Sequence, residues 1–366
     1  MATHAEPLAA GRAEAHRGIG RLTALWALAE VGLGGALHAL RLPVTGLVVG
    51  ATAIVLLVLL AEAARRSDRS VRQVLLGATA IVLGVKLAAS PHSPAGAYVA
   101  VAFQGGLAAL LLPMVGRTVG PVALGIIALA ESAVQRVLIM TLLFGATFWT
   151  AVDSFVTQVL GRIGALGLTP GETVEASRWL VGGYIAVHLV AGALAGGVAV
   201  RLARRVFAMA ERPDVVALAQ AAQTQAHADP APLGAPRPWY KRRVVRQLGL
   251  AVLLMVLYAS TSAVDAEGTA AAGLAILRAA VLITAWSVLM APLVMRGIRY
   301  VSGTRTRGTQ QAVAQLPELA TLARLAWQQT RETGLRRPVA FAALVTAAAL
   351  AEAVPETAAA PTAALA

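Results

Sequence analysis

Apolar residues are arranged along this chain in long blocks rather than in short alternating runs. The blocks are rich in Ala, Leu and Gly, and several reach the roughly 18–20 residues that span a hydrocarbon core as a helix. They lack the two-residue alternation of a membrane β-strand. A backbone in lipid must satisfy its polar groups within helices or a closed barrel. The pattern therefore predicts eight transmembrane helices, at residues 21–40, 44–64, 71–90, 95–115, 119–148, 179–207, 244–264 and 270–297.

Composition supports a membrane protein and removes several other classes. The 366 residues are 58% hydrophobic and only 13% charged, whereas soluble domains carry about 25% charged residues. Cysteine is absent, which excludes a disulfide framework and a zinc site built on sulfur. The net charge of +13 comes almost entirely from arginine, since Lys86 and Lys241 are the only lysines. No basic stripe interleaved with aromatic residues occurs, so we expect no nucleic-acid partner and assign the arginines to loops that face anionic lipid.

Arginine is concentrated in alternate loops. The N-terminal tail and the loops after the second, fourth, sixth and eighth predicted spans are basic. The intervening loops are poor in arginine, and the segment 147–178, predicted as a loop, holds Asp153, Glu172 and Glu175. Under the positive-inside rule this asymmetry predicts a multi-pass protein of the cell (inner) membrane with both termini cytoplasmic. The first twenty residues show no apolar region that ends in a cleavage site, so no signal peptide is expected.

The fold class predicted is all-α, a polytopic integral membrane protein in five regions. Residues 1–20 form a cytoplasmic tail and 21–207 a six-helix bundle. A Pro-rich linker at 208–243 follows, in which 208–227 could be a polar surface helix. Residues 244–300 form a two-helix unit and 301–366 a basic cytoplasmic helical tail with a disordered end. Helical pattern in that tail breaks near Pro317 and Pro338, and the apolar piece 339–350, too short to span a membrane, is expected to be an amphipathic or interfacial helix.

Polar side chains within the predicted spans are the main functional candidates, because burying such groups in lipid has a high free-energy cost. Counting inward from each end places Glu30, Gln104, Glu131, Gln135 and His188 at similar depth, with Glu131 and Gln135 one helical turn apart. His38, Arg41, Lys86 and His92 lie nearer the outer face. We predict a polar pocket in the outer half of the bundle, whose substrate-binding candidates are His38, Lys86, Gln104, Glu131, Gln135 and Arg136.

A structural interpretation of the same residues stays open. Either Glu30 or Glu131 could neutralise Arg136, and Lys86 could extend to the outer interface. His188 could be satisfied by a neighbour within its own helix. Gly192 and Gly196 have the spacing that lets helices approach closely, either within the bundle or against a partner.

Sequence motifs typical of nucleotide binding and of hydrolytic enzymes are incomplete or absent. The segment 303–309 has P-loop spacing, but Thr309 replaces the lysine that binds phosphate and no strand precedes it. Neither H-E-x-x-H nor G-x-S-x-G occurs, and the histidines are scattered. We therefore expect no enzyme activity, no cofactor and no metal.

The N-terminal unit, about residues 20–207, resembles the substrate-binding S-components of energy-coupling factor transporters. The resemblance rests on a first helix ending in His38-Ala-Leu-Arg-Leu-Pro-Val-Thr-Gly46, on Ser90-Pro-His-Ser-Pro-Ala-Gly96 leading into Val101-Ala-Phe-Gln-Gly-Gly-Leu107, and on Val119-Gly-Pro-Val-Ala-Leu-Gly125. It implies six helices with both ends cytoplasmic. It also implies a solute held in the outer half and docking to a membrane-embedded T-component through small residues of the first helix. The last two predicted spans and the basic tail depart from a standard S-component, and the tail lacks the Ala-Arg-Gly signature of T-component coupling helices.

The function predicted is a membrane-embedded binding subunit for a small vitamin-like solute, driven by separate T-component and ATPase subunits. One alternative is a scaffold or assembly protein whose C-terminal tail recruits a cytoplasmic partner. Another is an ion- or proton-coupled transporter in which Glu30 and Glu131 are the proton sites.

Overall fold

The computed structural model describes residues 5–34, 45–89, 95–162, 174–228, 314–330, 334 and 336–351. Every regular element in these ranges is helical. In chain order the α-helices are α1 (Ala5–Leu28), α2 (Thr45–Arg66), α3 (Val71–Ala89), α4 (Ala95–Met114), α5 (Val119–Phe144), α6 (Ala146–Arg162), α7 (Ala176–Ala210), α8 (Pro213–Ala228), α9 (Leu316–Gln329) and α10 (Arg336–Leu350). A five-residue π-helical segment, Ala29–Leu33, continues α1.

Five of the described helices, α2, α3, α4, α5 and α7, are long and apolar enough to cross a membrane. They coincide with the second to sixth predicted spans, so the prediction of a multi-pass helical chain is confirmed to that extent. The first predicted span is different, because α1 begins at Ala5 and gives way to the π segment after Leu28. The seventh and eighth predicted spans lie outside the described residues.

Two glycines set the ends of α4 and α5. Gly116 follows α4 with φ 81° and Gly145 follows α5 with φ 77°, a left-handed conformation that side chains disfavour and glycine adopts freely. The Gly145 N–H donates to the carbonyl of Thr141 at 2.8 Å, which is how such a residue closes a helix. The fifth span therefore ends at Phe144, four residues earlier than predicted.

The prediction that residues 147–178 form a loop is wrong. Most of the first half of this segment belongs to α6, a 17-residue helix. Its polar side chains interrupt the apolar run, so the hydrophobic pattern does not indicate a helix there. The side chain of Asp153 accepts hydrogen bonds from the backbone N–H and the hydroxyl of Ser177, at 2.6 and 3.0 Å.

The described residues fall into two compact units, 5–135 with 183–228 and 314–351, and 136–182. In the first unit, α1, α2, α3 and α4 pack around a common apolar core. Its fully buried large side chains include Trp26, Ile54, Leu57, Leu75 and Leu112. These residues come from helices whose sequences are apolar on most sides, as expected for spans that contact both neighbours and lipid.

Glycine allows α5 and α7 to approach closely within the first unit. A methyl group on Gly192 would collide with the backbone carbonyl of Gly125, and one on Gly196 would collide with the carbonyl of Pro121. The Gly192–Gly196 spacing therefore serves packing inside this bundle, as small residues at helix contacts do.

The remaining helices of the first unit form a cluster with α1. Buried side chains of α8, among them Val215 and Leu218, belong to the same apolar core as Leu319 and Leu322 of α9. The prediction that a helix could form in 208–227 is confirmed for α8, which has one side covered by protein and many exposed residues on the other, while 208–210 belong to the end of α7. Arg21 of α1 donates to Glu318 of α9 at 2.5 Å, and both partners are largely enclosed.

The tail helices begin where the sequence predicts breaks. Pro317 and Pro338 lie in the first turns of α9 and α10, where a missing N–H costs nothing. The C-terminal half of α10, with Val345 and Ala347–Ala349 buried, packs in the cluster with α1 and α8. The prediction of an amphipathic helix at 339–350 is therefore confirmed, and its position at a membrane interface stays a prediction.

Candidate solute-binding site

One end of the first unit carries an unusual density of polar side chains. We call it the polar end. It is formed by the π segment, the second turn of α2 with Gly50, the last turn of α3, the first half of α4 as far as Gln104, and the part of α5 around Gln135. The contacts described below join these segments.

An enclosed ion pair joins the π segment to α3. The ammonium of Lys86 donates to the carboxylate of Glu30 at 2.7 Å, and the side chains are only 7% and 4% exposed. Lys86 also approaches the carbonyl of Ala97 at 3.4 Å, and its Nζ lies 6.0 Å from the centroid of the Tyr98 ring. Three helices of the bundle thus converge on one cation.

This pair corrects two sequence interpretations. Glu30 pairs with Lys86 and not with Arg136. Lys86 is buried within the bundle instead of extending to an interface. Each residue was a candidate on its own, but the pairing was missed because they are separated by 56 positions. The one available signal was that two opposite charges occur inside apolar blocks, the first and the third.

A second group of polar side chains lies where α2, α4 and α5 meet. A methyl group at Gly96 would lie 3.0 Å from the amide nitrogen of Gln135, and one at Gly50 would lie 3.5 Å from that of Gln104. Gln104 is buried, with 4% exposure. Glycine at position 96 therefore leaves space for the Gln135 amide, whereas the space at Gly50 is taken first by the Leu129 side chain, 2.7 Å from an added methyl group, with the Gln104 amide beside it.

The two groups meet at the first turn of α4. Gln135 contacts Gly96, and Lys86 reaches the carbonyl of the next residue, Ala97. Glu131 lies one turn before Gln135 on α5. Its Oε2 atom is buried without a hydrogen-bond partner in the described part of the chain. A buried acceptor in this condition is the exception in folded proteins, and it is satisfied when a donor arrives.

The other predicted site residues do not join this arrangement. His188 is buried but is satisfied inside α7, where Nδ1 contacts the Tyr184 carbonyl at 2.8 Å and the two rings lie 4.2 Å apart at a tilt of 55°. The side chain of Arg136 is exposed. His38, Arg41 and His92 lie outside the described residues.

The arrangement offers hydrogen-bond donors, acceptors and a cation within an apolar bundle. Such a set is suited to hold a small polar molecule by several oriented contacts. Among the described residues no group of three or more His, Asp and Glu side chains could hold a metal ion. No protein-family model, curated protein or solved structure matches this chain.

Proposed function

We propose that this chain is a membrane-embedded binding subunit for a small, vitamin-like solute, and that the polar end is where the solute binds. One observation carries the proposal. An enclosed charged pair, the buried carboxamide of Gln104 and the partly buried carboxamide of Gln135 occur in a bundle of helices that are otherwise apolar. Enclosing these groups costs free energy that apolar residues would not cost. Binding of a polar ligand gives such groups a purpose beyond packing.

The arginine asymmetry completes the proposal by giving a direction. If basic loops are cytoplasmic, the polar end faces the outside of the cell and would meet an incoming solute. The resemblance to S-components of energy-coupling factor transporters assigns the energy source to separate T-component and ATPase subunits. On this proposal the first predicted span, 21–40, provides both the site residue Glu30 and the small residues that would contact a T-component.

Binding by the purified full-length protein in detergent tests the proposal. A thermal-shift screen against water-soluble vitamins and their precursors is expected to find at least one stabilising solute. Gln104→Ala and Glu131→Ala are each expected to weaken its binding about tenfold or more. Loss of one hydrogen bond to an enclosed partner is worth that much.

Matched controls are available on exposed parts of the described chain. Gln73→Ala and Glu211→Ala remove the same functional groups from α3 and from the segment after α7, where both side chains are exposed. They should leave the dissociation constant unchanged. A screen without any stabilising solute, combined with unchanged uptake after gene deletion, would contradict the proposal.

The orphan carboxylate oxygen of Glu131 favours a second candidate, a proton-coupled transporter. A carboxyl group with no fixed partner in an apolar bundle can take up and release a proton as its surroundings change. The two candidates differ in energy source. Uptake that collapses with an uncoupler but survives ATP depletion would favour proton coupling, and the reverse result would favour an ATP-driven system.

A further inference from the structure

We infer that Lys86 is the receptor for a carboxylate group of the transported solute, and that Glu30 is the internal carboxylate which the solute replaces. This inference rests on the proposed function and narrows it to a class of ligand, small organic acids. It comes from the chemistry around Lys86 and from the backbone that carries Glu30.

The choice of a lysine at this position is the first argument. The chain places arginine at nearly every basic position, and Lys86 is one of two lysines. Arginine forms fixed, two-pronged pairs, whereas the ammonium of lysine is a compact charge that can exchange one acceptor for another. A pair meant only to hold α1 to α3 would be served at least as well by arginine.

The electrostatic balance around Lys86 is the second argument. The ammonium donates a hydrogen bond to the Ala97 carbonyl in the first turn of α4, at 3.4 Å, and the N-terminus of a helix carries about half a positive charge. Against these stands one carboxylate, that of Glu30, which is the only acid in contact with Lys86 among the described residues. The surroundings of Lys86 therefore favour an anion, and the Glu30 carboxylate balances the positive charge when no solute is bound.

The backbone of Glu30 is the third argument. The residue lies in the π segment Ala29–Leu33, where the Gly34 N–H donates to the Ala29 carbonyl five residues earlier. Single π turns inside α-helices are uncommon and occur often at functional sites. Such a turn can rearrange locally without breaking a regular helix, so the Glu30 carboxylate can withdraw while α1 stays in place.

Replacement keeps the charge balance of the enclosed site. A solute carboxylate that takes the position of the Glu30 carboxylate accepts the same hydrogen bond from Lys86. Gln135, which reaches the adjacent Gly96, and Gln104 can contact the rest of the solute through their amide groups. The expected ligand is therefore a small acid that also carries uncharged polar groups.

The test uses the full-length protein in detergent with matched acid and neutral probes. The pairs are nicotinate with nicotinamide, benzoate with benzamide, and pantothenate with panthenol, each measured by thermal shift and by calorimetric titration. At least one acid is expected to raise the Tm, and its neutral partner is expected to leave the Tm unchanged.

Two variants then separate a receptor from a merely structural pair. In Glu30→Gln, Lys86 loses its internal competitor, so the Kd of the best acid should fall at least about threefold and the Tm gain on binding should increase. In the double variant Glu30→Gln/Lys86→Gln, which carries no enclosed charge, the Kd should rise at least about tenfold. Arg178→Gln, which removes an exposed cation from the start of α7, is the control and should bind as the unaltered protein does.

Each outcome decides the inference. If neutral partners bind as tightly as the acids, or if the double variant binds the acid with unchanged Kd, Lys86 is not the receptor and the inference is overturned while the proposed function stands. If solutes of the wider vitamin screen bind but none is an acid, the same conclusion follows. If no solute of any charge binds, both the proposed function and the inference fail.

Discussion

Two enclosed ion pairs are carried by α1, and they occupy different surroundings. Glu30 pairs with Lys86 of α3, and both side chains lie within long apolar elements, 4% and 7% exposed. Arg21 pairs with Glu318 at the start of α9, where Glu318 is 19% exposed and the helix is amphipathic. The first pair joins neighbouring helices of the bundle, whereas the second fixes residues that are 297 positions apart.

The two ion pairs therefore serve different purposes. Arg21–Glu318 holds the C-terminal helices against α1, and solvent near Glu318 lowers the cost of its burial. Both pairs join helices of the same apolar core, but only in Glu30–Lys86 are both side chains almost fully enclosed. This pair therefore has the larger desolvation cost, and this contrast is why we connect it with a ligand.

Breaking the Glu30–Lys86 pair should have the largest effect on stability. Lys86→Met leaves the Glu30 carboxylate enclosed without a counter-charge, and we expect a loss of about 3–5 kcal/mol in the free energy of unfolding. The double variant Glu30→Leu/Lys86→Met removes both charges and should recover most of that loss. Unfolding in mixed micelles titrated with SDS measures both values.

The comparison between single and double variants is decisive for this pair. If Lys86→Met lowers the free energy of unfolding by less than about 1 kcal/mol, solvent reaches the site. A double variant as unstable as the single would mean that the pair supplies packing that apolar side chains cannot replace.

A close contact between uncharged parts of α5 and α7 gives a further loss of stability to compare with those of the ion pairs. Gly196→Ala places a methyl group against the backbone of Pro121 and Val122. Backbone atoms in a helix cannot move aside easily, so we expect a loss of about 2–3 kcal/mol, in the upper part of the range for overpacking. Gly197→Ala is the matched control, because a methyl group there meets nothing within 4 Å.

Thermal unfolding of the two glycine variants measures this effect. A lower Tm for Gly196→Ala with an unchanged Tm for Gly197→Ala would show that the packing of α5 against α7 contributes to stability by an amount similar to a buried ion pair. Equal Tm values for both variants would mean that the two helices separate at little cost.

The sequence predicts the long apolar helices well because each of them is defined locally. Length and hydropathy identify α2 to α5 and α7 to within a few residues. The end of α5 is missed by four residues because it depends on the backbone conformation of Gly145. The helix α6 is missed because Thr147, Asp153 and other polar residues make its sequence similar to that of a loop.

The candidate site is predictable as a set of residues but not as a set of contacts. Gln104, Gln135 and Lys86 are conspicuous as polar residues inside apolar blocks. Which of them meet depends on how the helices pack, and this is decided by small residues such as Gly50 and Gly96. Abundant glycine and alanine throughout the chain conceal these positions from a reading of the sequence alone.

The smallest effect is expected at the Arg21–Glu318 pair. Glu318→Ala leaves Arg21 largely enclosed, but solvent already reaches this side of the pair. The cost should therefore lie between that of an exposed pair, at most about 1 kcal/mol, and that of a fully buried one. We expect about 1–2 kcal/mol, measured as a lower Tm of the full-length protein.

An exposed pair provides the reference for that measurement. Glu211 approaches Arg66 at 3.4 Å, but its side chain is 75% exposed, so Glu211→Ala should change the stability by less than about 0.5 kcal/mol. If Glu318→Ala has an effect no larger than this, the ion pair does not hold α9 to α1. The apolar contacts of α8, α9 and α10 would then be sufficient to fix the C-terminal helices, and the contrast between the two pairs of α1 would be greater still.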